Sequence, residues 1–417
     1  MQGHRRRQAT KRCTATSVRR EGYGGTGSST VLALLDNVQT LPASRRLVFD
    51  PAAPVTRPHL LLGQAPNPKK VNFPEADSFS IQYLKSLPKA ELHLHLEGSV
   101  TPSLLRNLSK KYGTEYSAVS EEELSQQLFQ YEDFYSFLET YRIVCEHLRE
   151  PIDYVGVLDG LGEYFTEENI RYAEIIYTPS IPWQYERDGK DILQALLERS
   201  QQIQSTQGTL IRWILDCVRQ FGPELARRTA ELAEEFRDQG VVAVGLGGDE
   251  KSLEMKQYQE IFSWARAHRL YIHVHAGEVG DAQQVWDALL ILGANRIGHG
   301  IQAARDSKLM DYLRQHAIGL DVCLTSNLMT GAWKPISDNP FGLLYQRGVP
   351  VSLNTDDPGL FQTSLSEEFQ KAVQFFQLTQ EEVHRIVLQG IRSSFLPHDE
   401  KMVFMKQFQE EIRQLSA

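Results

Sequence analysis

The sequence predicts an α/β fold, a TIM-type (β/α)8 barrel with a helical insertion after the first strand. Three observations predict it. Eight short, β-rich apolar runs alternate with longer helical patterns from about residue 80 onward, and such alternation implies parallel strands, because parallel neighbours need a crossover between them. The polar residues able to do chemistry fall at the C-terminal ends of those runs, where a barrel places its active site. The chain of 417 residues is long enough for one barrel domain, which uses roughly 250 to more than 400 residues.

The eight predicted strands are residues 91–95, 171–177, 211–218, 241–246, 270–275, 296–299, 318–323 and 350–354. Helical patterns lie between them at 228–239, 253–268, 282–292, 306–316 and 339–347. Eight units favour a closed barrel over an open doubly wound sheet. Residues 122–146 form a further, mostly helical insertion with Leu128, Tyr131, Phe134, Phe137 and Tyr141. That insertion is expected to pack on the barrel and to serve as a lid over its mouth.

Residues 1–75 differ in composition from the rest. The first twenty hold seven Lys or Arg and no acid, and residues 51–68 contain five prolines. Such a stretch buries too little apolar surface to offset the entropy of ordering it. It is expected to be a disordered extension, with a nucleic-acid arm or a transit peptide as the functional alternatives. The catalytic domain is assigned to residues 76–417. A net charge of −9 argues against nucleic acid as a partner of the whole molecule. No apolar run approaches a membrane span, so no membrane partner is expected. The four cysteines are widely spaced, which fits a reducing, cytoplasmic setting without a disulfide scaffold. Oligomeric state has no signature in the sequence.

The first strand ends His93-Leu94-His95, and the period of two along a strand puts both imidazoles on one face. The fifth ends His275-Ala276-Gly277-Glu278, the sixth His299-Gly300, and the eighth runs into Asp356-Asp357-Pro358. A hydrolytic metal ion takes three or four N and O ligands, which His93, His95, His275 and Asp356 would supply. Singly, each histidine is as well explained by a structural hydrogen bond, and the acid pair by a solvated turn or a helix cap. Their convergence on the strand ends of one barrel is what points to a metal site. Glu278, three residues beyond His275, is placed for general acid/base work, and His299 to orient or deprotonate a water. The residues alone thus imply a barrel hydrolase with one metal and leave its substrate open.

Longer strings narrow the class. LPKAELHLHLEG (87–98), GGDE (247–250), HAGEVG (275–280), RIGHG (296–300), SNLMTGAWKP (326–335), SLNTDDP (352–358) and SSFLP (393–397) occur in this order. Over about residues 87–412 the chain resembles the adenosine/adenine deaminase branch of the amidohydrolase superfamily. The resemblance implies one Zn2+ per chain held by His93, His95, His275 and Asp356. Glu278 then matches the residue that protonates purine N1, His299 the base for the attacking water, and Asp357 the aspartate beside that water and N7. Gly248 matches the glycine whose N–H meets N3, and His95 and Glu97 join Gly248 and Asp357 among the substrate contacts. The implied reaction is hydrolytic deamination of adenosine or 2′-deoxyadenosine to inosine and ammonia. The partner would be a small purine nucleoside.

GGDE, TGAWKP and SSFLP resemble the nucleoside-deaminating branch. Glu97, however, stands where adenosine-specific members carry an aspartate toward the ribose 5′-hydroxyl, and Ile176 and Ser180 replace an Arg and a His. The sugar end is therefore open to alternatives: 6-aminodeoxyfutalosine, N6-substituted AMP or adenine. Two readings of other classes stand beside it, a two-metal amidohydrolase and a catalytically dead binding barrel. The first lacks a lysine at a strand end, and the second is hard to reconcile with a complete ligand and acid–base set.

Overall fold

The computed structural model describes residues 80–415. The expected extension over residues 1–75 lies outside the described residues, as does Cys13. Eight parallel strands form one sheet in the order β1 to β8: β1 (Lys89–His95), β2 (Ile170–Tyr177), β3 (Leu210–Val218), β4 (Val241–Gly247), β5 (Tyr271–Ala276), β6 (Arg296–His299), β7 (Gly319–Val322) and β8 (Val351–Leu353). Each predicted strand is present within a few residues, and the ring is the predicted barrel.

Closure is local to the upper rim. A single parallel bridge joins Leu94 to Asp356, with Asp356 N–H donating to His93 C=O at 3.1 Å and His95 N–H to Asp356 C=O at 2.7 Å. Side chains complete the seam: Asn354 Oδ1 accepts from Leu92 N–H at 2.8 Å, and Glu91 accepts from both the N–H and hydroxyl of Thr355. The seam thus closes on the loop that carries Asp356 and Asp357. At the opposite end, Ile176, Ile214, Ala243 and Phe395 fill the barrel axis. Phe395 comes from the SSFLP segment, and the Arg296 guanidinium lies 4.0 Å over its ring. That segment acts as a floor.

The helical layer departs from the sequence pattern in detail. The segment read as 253–268 is a 3₁₀ turn, Met255–Tyr258, followed by the helix Gln259–Ala267, and 282–292 is an α-helix, Ala282–Asp287, continued by a π-turn. The helix read as 228–239 begins earlier, at Gly222, because Pro223 in its first turn is pre-set for a helix start. The insertion is two helices, Glu121–Gln127 and Phe134–His147, separated at 128–133. Both carry capping boxes, from Ser120 with Glu123 and from Asp133 with Ser136.

Lys89, in the first motif, lies where β1 begins. Its Nζ donates to the carbonyls of Leu84 (2.7 Å), Leu87 (3.0 Å) and Lys85 (3.2 Å). It therefore caps the helix Ile81–Ser86 and ties it to the strand.

Candidate metal and catalytic site

The site is built at the C-terminal rim from β1, β5, β6 and the loop after β8. Nε2 atoms of His95 and His275 lie 3.1 Å apart, and Asp356 Oδ1 is 3.1 Å from His93 Nε2 and 3.3 Å from His95 Nε2. Donor atoms of His93, His275, His299 and Asp356 all fall within 4.8 Å of one another. That mutually close set includes His299 with three of the four residues proposed from sequence, and His95 adjoins it through His275 and Asp356. His93, fully buried, has no hydrogen-bond partner at either ring nitrogen. A buried, unpartnered imidazole facing other imidazoles and a carboxylate is costly without a further partner. The donor set fits a divalent cation.

Two of these residues hold unusual backbone conformations, His299 at φ 59° and Asp356 at φ 67°. Non-glycine residues in the left-handed region cost about 1–3 kcal/mol each, which the surrounding structure must offset. Both are thereby aimed into the mouth of the barrel. The strain falls on two members of the donor cluster.

His299 Nε2 is 3.6 Å from Glu278 Oε2 and 3.8 Å from Asp356 Oδ2, while its Nδ1 contacts Asn327 Nδ2 at 3.3 Å. Burial lowers the His299 pKa to about 3, so its ring is neutral. Burial, reinforced by the nearby charges of Asp356 and Glu250, holds the Glu278 carboxyl well above the usual range. The same causes, burial and then Asp356, raise Asp357. Burial thus favours the neutral form of all three groups, His299 as a base and Glu278 and Asp357 as acids. Glu250, from GGDE, fixes the loop under Glu278 by accepting from Glu278 N–H (3.1 Å) and Gly280 N–H (2.6 Å).

A cavity opens over this cluster. His95, His275, Glu278, His299, Asp356, Asp357 and Gly248 line its polar side, and Phe134, Phe137, Leu138 and Tyr141 form the opposite wall. Those four lie on one face of the helix Phe134–His147, so the insertion covers the mouth as expected. It is also packed in place: Phe137 stacks on Phe361 at 5.0 Å and Tyr131 meets the same ring edge-on at 5.8 Å. Glu97 is placed differently from the other predicted contacts. It is fully buried, and it accepts from Thr178 N–H (3.2 Å) and the Tyr141 hydroxyl (3.4 Å). Thr178 and Tyr141, rather than Glu97, are among the cavity-lining residues.

A layer beneath the cluster was not anticipated. His273 and Asp321 form a second group with His93, and His273 Nε2 is 3.1 Å from Asp321 Oδ2. Arg296 is 2.6 Å from the same oxygen and 2.6 Å from Glu174, and it donates to Leu92 C=O at 2.9 Å. The guanidinium already supplies the positive charge there, so this second group is a support for His93 and not a second metal site. Its one signal in the sequence was the His-x-His of β5, which repeats that of β1.

An eight-stranded barrel whose rim gathers imidazoles and carboxyl groups into one cluster has the arrangement of the barrel hydrolases. The sequence model of the adenosine deaminase family matches residues 88–411. An aminodeoxyfutalosine deaminase of Streptomyces coelicolor is 32% identical, over 80% of this chain and 87% of its own length. The adenosine deaminase of Bos taurus is 31% identical over 75% and 91%. The crystal structure of an adenine deaminase from Arthrobacter aurescens superposes with a TM-score of 0.73 at 25% identity, covering 78% of this chain and 99% of the other. The chain belongs to the adenosine deaminase family. It is an enzyme of the amidohydrolase class that deaminates a 6-aminopurine.

Proposed function

We propose that this chain is a zinc-dependent deaminase of 6-aminopurine nucleosides, converting adenosine or 2′-deoxyadenosine and water to the 6-oxo nucleoside and ammonia. One observation carries the chemistry: Glu278 Oε2 and His299 Nε2, 3.6 Å apart, sit together against the donor cluster of His93, His275 and Asp356. A zinc ion held by His93, His95, His275 and Asp356 would bring the pKa of a water at this rim toward ~7.

The chain's own residues do the rest. Glu278 donates its proton to purine N1, which localises the ring C=N at C6 and avoids negative charge on the ring as water adds. His299, neutral, accepts the proton that the attacking water loses. Asp357, whose carboxyl is pushed toward its protonated form by burial and the Asp356 charge, is suited to donate to N7, and Gly248 N–H to N3. Returning a proton to the 6-amino group lets ammonia leave. Glu97 acts at one remove, by holding Tyr141 and Thr178 at the cavity wall.

The cavity also bears on the sugar end. Among the described residues that line it there is no lysine or arginine, whereas Asp216, Asp356, Asp357 and Glu278 are all present. A 5′-phosphate would meet no cation there, which disfavours AMP and its N6-substituted forms. The apolar wall of Phe134, Phe137, Leu138 and Ile181 favours a second reading in which the 5′ position carries an uncharged or aromatic extension, as in 6-aminodeoxyfutalosine. The test is a panel of adenosine, 6-aminodeoxyfutalosine, adenine, AMP and N6-methyl-AMP on the zinc-loaded protein. The two nucleosides should lead in kcat/KM, with AMP at least 100-fold behind. Preference for a nucleotide would overturn this reading of the cavity.

A further inference from the structure

We infer that Asp216 is a positioning residue for the metal ligand His275, its carboxylate receiving the Nδ1–H so that Nε2 is aimed at the donor cluster. This rests on the metal-site reading above and on the geometry of three neighbouring strands. The Nε2 of His275 faces His95 at 3.1 Å, which leaves Nδ1 on the far side of the ring. That Nδ1 is buried and has no hydrogen-bond partner. Asp216 on β3 is 3% exposed, and its Oδ1 is likewise buried and without a partner.

Between the two, β4 carries glycine at both positions that face them. In the strand register Asp216 pairs with Gly245, and Gly245 pairs with His273, two residues before His275. A Cβ at Gly245 would fall 2.2 Å from Asp216 Oδ1. One at Gly247 would fall 2.6 Å from Asp216 Oδ2 and 3.3 Å from His275 Nδ1. A single point above Gly247 thus touches both groups. Any side chain on β4 would separate them, and the two glycines let a carboxylate from β3 reach over β4 toward β5.

The chemistry gives the contact its purpose. A histidine that ligates through Nε2 must carry its proton on Nδ1, and an acceptor at Nδ1 selects that tautomer and fixes the ring plane. Loss of such an outer partner typically costs 10–100-fold in metal affinity. The test is zinc affinity of the full chain by competition with a chromophoric chelator, for Asp216→Ala, Asp216→Ser and Asp216→Asn, beside Asp356→Ala as the control for a lost ligand. Melting of each metal-free variant reports folding separately.

Asp216→Ala and Asp216→Ser should bind zinc about 10–100-fold more weakly. Asp216→Asn, whose Oδ1 still accepts from Nδ1–H, should recover most of the loss. Unchanged zinc affinity in both the Ala and Ser variants would overturn the inference, as would a raised KM with affinity intact, since Asp216 would then face the substrate. If Asp356→Ala also binds zinc normally, it is the metal-site reading that fails.

Discussion

Glu278 and His299 are titrated in opposite directions by the same cause. Burial disfavours the charged form of each, so the acid keeps its proton and the base stays without one, which is the pairing that proton transfer to N1 and from water requires. Glu278→Gln should therefore retain zinc and fold normally while kcat falls about three orders of magnitude; steady-state rates beside metal content check both halves. The grouping of His93, His95, His275 and Asp356 was legible because a period of two and strand-end position bring them to one rim without any three-dimensional knowledge. His273, Asp321 and Asp216 were not, because each acquires its meaning from a partner on another strand. Glu97 was read from the sequence as a sugar contact, whereas its turn toward Tyr141 and Thr178 depends on partners the sequence does not bring together.

At the scale of elements, the insertion helix Phe134–His147 carries the lid and the loop after β8 carries two acids, and aromatic packing couples them. Removing the Phe137 ring forfeits its stack on Phe361 and part of the cavity wall. Phe137→Ala should raise KM roughly tenfold, as about 1–2 kcal/mol of packing and substrate contact is lost, with a smaller effect on kcat. Nucleoside titrations under steady state measure it. The insertion could be read from its aromatics, whereas its break at 128–133 could not, since no Gly or Pro marks it. A second element shows a pH signature. Asp153, near the start of the helix Pro151–Glu167, accepts from Lys111 Nζ (2.7 Å), Glu150 N–H (2.8 Å) and Arg149 N–H (2.9 Å). Burial opposes its ionisation, but these donors outweigh it and hold its pKa below the usual value. A depressed folded-state pKa stabilises the protein above the unfolded value of ~3.9 and loses that contribution as pH falls through the folded one. The melting advantage of wild type over Asp153→Asn should thus be full at pH 6 and shrink below about pH 4.

Across the whole molecule, the residues proposed to bind metal and substrate run from His93 to Asp357 in sequence and gather on one rim of the barrel in space. The SSFLP segment closes the other end through Phe395 and the carbonyl of Ser393, which accepts from Arg296 at 3.1 Å. Among the described residues no helix is long and apolar enough to cross a membrane, and Cys145, Cys217 and Cys323 are buried and free. The barrel and its order of strands were readable because alternation of apolar runs is a whole-chain signal. Closure through Leu94–Asp356 and Glu91–Thr355 was not, since it pairs residues more than 260 positions apart. Because every site residue belongs to the barrel, deleting residues 1–75 should leave kcat/KM within about twofold of the full chain.

The measurement that bears most directly on the central claim is the fall in ultraviolet absorbance when adenosine is added to the zinc-loaded protein, with ammonia assayed in the same sample. The account predicts conversion to inosine with one ammonia per nucleoside and kcat/KM above ~10⁴ M⁻¹s⁻¹ for adenosine or a 5′-extended analogue. A protein that holds one zinc and turns over no 6-aminopurine nucleoside would contradict it.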